Sequence, residues 1–142
     1  MDYQKLLSDK GIRPSAQRVV ICQYVYEHHT HPTVDTVYTA LSPLYPSLSR
    51  TTVYNTLKLF TQNKIVTAIK IENDELRYDS CTEPHLHFKC TQCGNVFDIF
   101  CKDKLSSFYS DCTGILPEGF SLNSIQTNIW GLCADCQKHA NI

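Results

Sequence analysis

Arg77-Tyr78-Asp79-Ser80-Cys81-Thr82-Glu83-Pro84-His85-Leu86-His87-Phe88-Lys89-Cys90-Thr91-Gln92-Cys93-Gly94-Asn95-Val96-Phe97-Asp98 crowds Asp79, His85, His87, Cys90, Cys93 and Asp98 into one short stretch. Two kinds of metal chemistry overlap there. Cys90-Thr91-Gln92-Cys93 is half of a four-thiolate site, and Cys133-Ala134-Asp135-Cys136 supplies the other half after a gap of 39 residues. Two thiolates from one tight turn can bind the same ion, and Zn2+ takes four of them tetrahedrally without redox chemistry of its own. Paired CxxC spacing therefore favours zinc over disulfides. His85 and His87 differ in kind. In an extended segment residues i and i+2 point to one face, so both imidazoles can reach one ion. With Asp79 and Asp98 flanking them they read as a ligand set for a harder metal rather than as surface histidines.

At 142 residues the chain allows one domain or two small ones, each with a modest core, so a metal staple would matter. Eight cysteines could suggest a secreted scaffold. The lack of a charged-then-apolar leader and of any apolar run long enough to span a bilayer points instead to a reduced, cytoplasmic protein with no membrane association. The net charge of −1 divides unevenly: residues 1–64 carry seven Lys/Arg against four Asp/Glu, a net of +3, and the remainder carries six against ten. The basic part is N-terminal. No internal repeat or low-complexity stretch is visible.

Outward from the cluster, the pattern predicts an α+β chain. Asp2 to Lys10 reads as a short helix ended by Gly11, and Ser15 as the cap of a second helix with Ile21, Cys22 and Val25 on its apolar face. Pro32 forces His31 out of helix. Thr33 caps a third helix with a Val34, Val37, Tyr38 and Leu41 stripe, stopped by Ser42-Pro43. Ser49 caps a fourth, with Val53, Leu57 and Phe60 inward and Arg50, Thr51, Thr52, Asn55 and Lys58 outward. Two short helices joined by a compact turn fit a helix-turn-helix in which Asn55 reads a base edge while Arg50 and Lys58 hold phosphates. A plain helical bundle with a solvated face is the rival reading. Ile65–Ile71 and Leu76–Asp79 around the turn 72–75 read as a hairpin, placed as a wing. Beyond it, strands are predicted over His85–Cys90, Asn95–Phe100 and Ser121–Trp130, with a helix over Lys102–Cys112. The division expected is an N-terminal winged helix-turn-helix domain over residues 1–80 and a small C-terminal α/β domain over 84–142. Cys101 and Cys112, about 16 Å apart by helical rise, cannot bridge each other.

These features together resemble the ferric uptake regulator (Fur) family of bacterial metal- and peroxide-responsive repressors. The resemblance is carried along the whole chain by Gly11-Ile12-Arg13 with Gln17-Arg18, His31-Pro32-Thr33, Ser49 to Asn55, Arg77-Tyr78-Asp79, His85-Leu86-His87, Cys90 to Gly94, Asp98, and Gly131 to Cys136. It implies a C-terminal dimerisation domain and hence a homodimer, structural Zn2+ on Cys90, Cys93, Cys133 and Cys136, and a regulatory Fe2+ or Mn2+ on His31, Asp79, His85, His87 and Asp98, a site Zn2+ can occupy in vitro. It also implies that Arg13, Tyr54 and Asn55 lie against DNA; with Arg18, Arg50, Thr52 and Lys58 they form the expected contact set on a palindromic, AT-rich duplex. Asp98 points to the peroxide-sensing PerR branch, since iron-uptake members typically have Glu there. Five ligands leave a sixth octahedral position where peroxide can bind Fe2+. Asn123-Ser124-Ile125 and Pro84 stand where some members have further histidines, so no third metal site is expected.

The alternative within the family is an iron- or other metal-uptake regulator. A zinc-ribbon interaction module would need the cysteines but neither the basic fourth helix nor Asp79 and Asp98. A metallohydrolase would need a general base beside the cluster. No Glu or His is left over to serve, so the chain reads as a regulator and not an enzyme.

Overall fold

Hydroxyl and carboxylate caps start each helix of the N-terminal half. Asp2 caps α1 (Tyr3–Asp9) by accepting the Lys5 N–H, and Gly11, at φ +80, turns the chain after it. Ser15, Thr33 and Ser49 hold extended backbone and accept the N–H three residues on, opening α2 (Ala16–Glu27), α3 (Val34–Leu41) and α4 (Arg50–Gln62). Such a cap is worth about 1 kcal/mol. Ile21, Cys22 and Val25, Val37 and Leu41, and Val53, Leu57 and Phe60 then meet in one core with Leu7, Ile12, Leu48, Ile65, Val66 and Tyr78. Burying each large apolar side chain contributes roughly 1.5–3 kcal/mol. Burial pushes the Cys22 thiol up to about 11, which makes it an inert filler.

The computed structural model describes residues 1–140 and divides into Met1–Thr82 and Glu83–Ile142. In the first unit β1 (Thr67–Ile69) pairs antiparallel with β2 (Arg77–Asp79), Ala68 opposite Tyr78. The hairpin is present but shorter than the sequence suggests. Ile65 is excluded from it because its N–H donates to the Phe60 carbonyl and its own carbonyl accepts from Tyr26 Oη. Residues whose backbone groups are already used cannot extend a ladder.

The second unit holds β3 (Leu86–Cys90), β4 (Val96–Ile99), α5 (Lys102–Gly114), β5 (Asn128–Gly131) and α6 (Ala134–Ala140). The sheet order is β4-β3-β5, with β4 antiparallel and β5 parallel to β3. The strand expected over Ser121–Trp130 is confined to its last residues. His87 N–H takes the Thr127 carbonyl, and β3 begins at Leu86, so residues before 127 have no partner strand alongside. The helix α6 was not anticipated; Asp135 in its first turn and Lys138 and His139 in its last complement the helix dipole and were the available signal. Paired positions share a face: Phe88 lies opposite both Phe97 and Ile129, while His87 lies opposite Asp98 and Asn128. One face of the sheet is thus apolar and the other carries the imidazole and carboxylate. Among the described residues of this unit, only Cys90, Leu105 and Cys136 are buried apolar side chains, whereas Phe97, Phe100, Phe120 and Trp130 are exposed.

Among the described residues no helix is long and apolar enough to cross a membrane.

Candidate metal centres and a candidate nucleic-acid face

Cys90 closes β3 and Cys93 sits in the turn beyond it. The turn is possible because Gly94 takes φ +77, allowing Gly94 N–H to reach the Cys90 carbonyl (3.0 Å) and Cys90 N–H the Asn95 carbonyl (3.0 Å). The second knuckle is tied to the first where Thr91 N–H donates to the Gly131 carbonyl at 2.8 Å. A Cβ at Gly131 would stand 3.0 Å from the Phe88 ring, which would have to shift to admit a larger residue. Cys133 lies two residues beyond the end of β5 and Cys136 lies on α6, so the second pair of thiols rides on a strand-to-helix junction.

All four sulfurs lie within 4.8 Å of one another, and Cys93 Sγ is 3.9 Å from Cys133 Sγ. Four thiolates around Zn2+ at about 2.3 Å would stand about 3.8 Å apart, so the cluster matches a tetrahedral zinc cage. It does not match a disulfide, whose sulfurs are about 2.05 Å apart. The N–H groups of Cys133 and Cys93 point at Cys90 Sγ (3.4 and 3.5 Å) and draw its thiol down to about 6. Hydrogen bonding to Cys133, reinforced by burial, pushes the Cys136 thiol up to about 12. The set thus already contains one stabilised thiolate.

On the polar face of the second unit's sheet, His85 Nε2 is 3.0 Å from His87 Nε2, and Asp98 Oδ1 is 3.2 Å from the first and 3.6 Å from the second. Adjacent ligands of an octahedral ion with bonds of about 2.1 Å stand about 3.0 Å apart. His85 Nδ1 lies 2.5 Å from the Glu83 carbonyl. A carbonyl only accepts, so Nδ1 carries a proton, and in the neutral ring Nε2 is the nitrogen left to present a lone pair to the cluster. In the first unit, His31 and Asp79 are both buried, with His31 Nε2 3.9 Å from Asp79 Oδ2. Asp79 ends β2 and is oriented by the Cys81 N–H on Oδ1 at 2.9 Å. His31 has φ +54, a left-handed conformation that costs an L-residue roughly 1–2 kcal/mol. The sequence showed that Pro32 excludes helix there but not this conformation.

The expected DNA contacts all belong to the first unit. Arg13, Gln17, Arg18, Thr52 and Asn55 line one groove of about 550 Å³ between the start of α2 and α4. Tyr54 and Lys58 line another beside the hairpin, with Leu76 and Tyr78. Two arginines have partners that sequence reasoning missed. Arg18 Nη1 donates to the Arg13 carbonyl at 2.8 Å, clamping the loop ahead of α2. Arg50 forms an ion pair with Asp35 and lies 4.5 Å above the Tyr38 ring. Asp35 and Tyr38 stand at i and i+3 on α3, a spacing that could have shown them as one acceptor surface.

The sequence pattern described as the ferric uptake regulator family matches residues 9–127. The peroxide-responsive repressor PerR of Staphylococcus saprophyticus is 35% identical over 133 residues, covering 92% of this chain and 86% of that protein. Among solved structures, the ferric uptake regulator from Francisella tularensis with iron superposes with a TM-score of 0.74 at 21% identity, covering 89% of this chain and 96% of that one. A zinc uptake regulator complexed with zinc and DNA gives 0.72 at 19% identity, covering 98% and 93%.

Proposed function

The chain belongs to the ferric uptake regulator family of metal-responsive regulators, and from that premise we propose that it is a cytoplasmic, metal-dependent DNA-binding repressor that senses peroxide. Cys90, Cys93, Cys133 and Cys136 hold structural Zn2+, and His31, Asp79, His85, His87 and Asp98 together hold a regulatory Fe2+ or Mn2+. The carrying observation is that the tetrathiolate and the His85, His87 and Asp98 set occur as separate clusters of opposite chemical character within the second unit. Thiolates select zinc, whereas imidazole and carboxylate suit iron and manganese. A purely structural module has no use for the second set.

With His31, Asp79, His85, His87 and Asp98 holding the ion, peroxide would be the remaining ligand. When bound, Fe2+ would supply one-electron reducing chemistry toward peroxide, which Mn2+ on the same ligands does not readily do. His31 and His85 are the expected targets. As ligands, each would present its ring to the ion, and loss of that ring's lone pair would release the metal. Asp98 in place of a longer Glu supports the peroxide reading over metal uptake, as does the similarity to the staphylococcal PerR.

Two copies associate through the second unit, which leaves Phe97, Ile129 and Trp130 exposed. The pair reads a palindromic, AT-rich duplex, with α4 in the major groove. Asn55 reads a base edge, and Arg13, Arg18, Thr52, Tyr54 and Lys58 hold the backbone, while Asp35 competes with it for Arg50.

Mass spectrometry of the peroxide-treated protein, alongside binding to an AT-rich palindrome, tests the reading. An added oxygen on the His31 or His85 peptide with Fe2+ but not Mn2+, accompanied by release of DNA, is expected. Oxidation confined to Cys22, Cys81, Cys101 or Cys112, or equal release with both metals, would leave a metal-uptake regulator as the better assignment.

A further inference from the structure

Strand β2 touches the His31 segment at several points within the first unit. Tyr78 N–H donates to the Pro32 carbonyl at 3.0 Å, and Thr33 and Arg77 form an antiparallel bridge. Arg77 Nη1 donates to the His31 carbonyl at 3.3 Å, while Arg77 Nε donates to Glu72 Oε1 at 2.7 Å. The Arg77 and Glu72 side chains are only 20% and 17% exposed. Residues i and i+2 of a strand share a face, so Arg77 and Asp79 project together. One takes the backbone of His31 and the other stands beside its imidazole. Glu72 opens the turn 72–75 at the tip of the hairpin.

We infer that Arg77, oriented by Glu72, is a positioning residue for the regulatory metal: it fixes His31 in its left-handed conformation beside Asp79 and joins occupancy of that ligand pair to the order of the hairpin turn. The inference rests on the reading of His31 and Asp79 as metal ligands. Its chemistry needs a guanidinium. A planar fork can satisfy a carbonyl and a carboxylate at once, which a lysine ammonium on a flexible stem does poorly. It also needs Glu72, because an uncompensated cation on this face would repel the metal, whereas the ion pair presents little net charge to it. The hairpin turn and the ligand thereby become parts of one chain of contacts: metal, His31, Arg77, Glu72, turn. In a winged-helix reading, that chain would carry metal occupancy to the wing.

Mn2+ titration of the full, zinc-loaded chain tests this, with amide exchange measured on the same samples with and without Mn2+. Arg77→Met should weaken Mn2+ binding about tenfold, the lower end of what loss of an orienting partner costs a metal site. Glu72→Gln, which keeps an acceptor and loses the charge, should fall between it and wild type, and Arg77→Lys should not restore full affinity. Mn2+ should slow exchange at residues 72–76 in wild type and not in Arg77→Met. Metal-free Arg77→Met should already exchange the Tyr78 amide faster. Mn2+ affinities of Arg77→Met and Glu72→Gln both within twofold of wild type would overturn the inference, even with a faster Tyr78 amide, because the pair would then only stitch the hairpin. If Arg77→Met does not fold, Glu72→Gln decides alone by the same criterion. A wild-type chain that binds no Mn2+ would overturn the metal reading itself and this inference with it.

Discussion

Asp35→Asn should make the protein bind DNA more tightly. Arg50, the first residue of α4, is held by the Asp35 carboxylate and lies over the Tyr38 ring, so its charge is neutralised before any phosphate arrives. Both partners of the pair are more than half exposed, which limits its worth to about 0.2–1 kcal/mol. Releasing Arg50 should therefore raise affinity by roughly 1.4- to 5-fold at low salt. A freed guanidinium on a phosphate also adds about 0.9 to the steepness of the salt dependence. Between 50 and 200 mM salt that increment costs the variant about 3.5-fold more affinity than it costs wild type. Fluorescence anisotropy on a labelled AT-rich palindrome, repeated across that salt range with Mn2+ present, reads both quantities. Arg50→Ala should have little effect in the wild-type background and should cancel the gain in the Asp35→Asn background. Tighter binding that survives Arg50→Ala would mean that Asp35 acts only through its own charge. Weaker binding by Asp35→Asn would refute the reasoning altogether, because the ion pair would then be bracing α4 for DNA rather than competing with it.

Cys93→Ser should lose zinc and unfold the second unit, which has few buried apolar side chains of its own against a zinc site worth on the order of 10 kcal/mol; a variant with wild-type melting and no zinc would show the site to be dispensable. Zinc uptake by the metal-free chain should release protons near neutral pH. The Cys136 thiol, pushed up to about 12, holds its proton there, while Cys90, drawn down to about 6, has already lost its own. Apparent zinc affinity should accordingly rise as pH rises from 6 to 8. Calorimetry in two buffers of different ionisation enthalpy measures the protons released, and a heat that does not depend on the buffer contradicts the assignment.

Much of this was legible because the deciding signals are local. Ser15, Thr33 and Ser49 announce their helices by one hydrogen bond each, and the apolar positions behind them are set by helical period alone. The cysteine knuckles are legible for a similar reason, since each is a single turn whose spacing fits one ion. What the sequence hides are features decided by what lies alongside. Ser121–Thr127 leads into the alternation of Ile125, Thr127 and Ile129 and so reads as strand, yet β3 starts too late to pair with it. Ile65 has strand character, but α4 and Tyr26 had claimed its backbone. The Arg50–Asp35 and Arg77–Glu72 pairs were invisible for a different reason. A charge on a helix face or in a turn looks like a solvated group until the element that meets it is known.

The two-faced sheet imposes a rule on how this chain can change over time. Along β3, Phe88 belongs to the apolar face and His87 to the imidazole face, and β4 and β5 match that alternation position by position. Exchanging one side chain alters one face and leaves the other intact. Deleting or inserting a single residue rotates every later side chain to the opposite face, sending imidazole among aromatics and phenyl rings among carboxylates. Residues 86–90 and 96–99 can thus drift in chemistry but not in length. The segment 121–127, bound to no such alternation, is where insertions and deletions can accumulate without cost to either face.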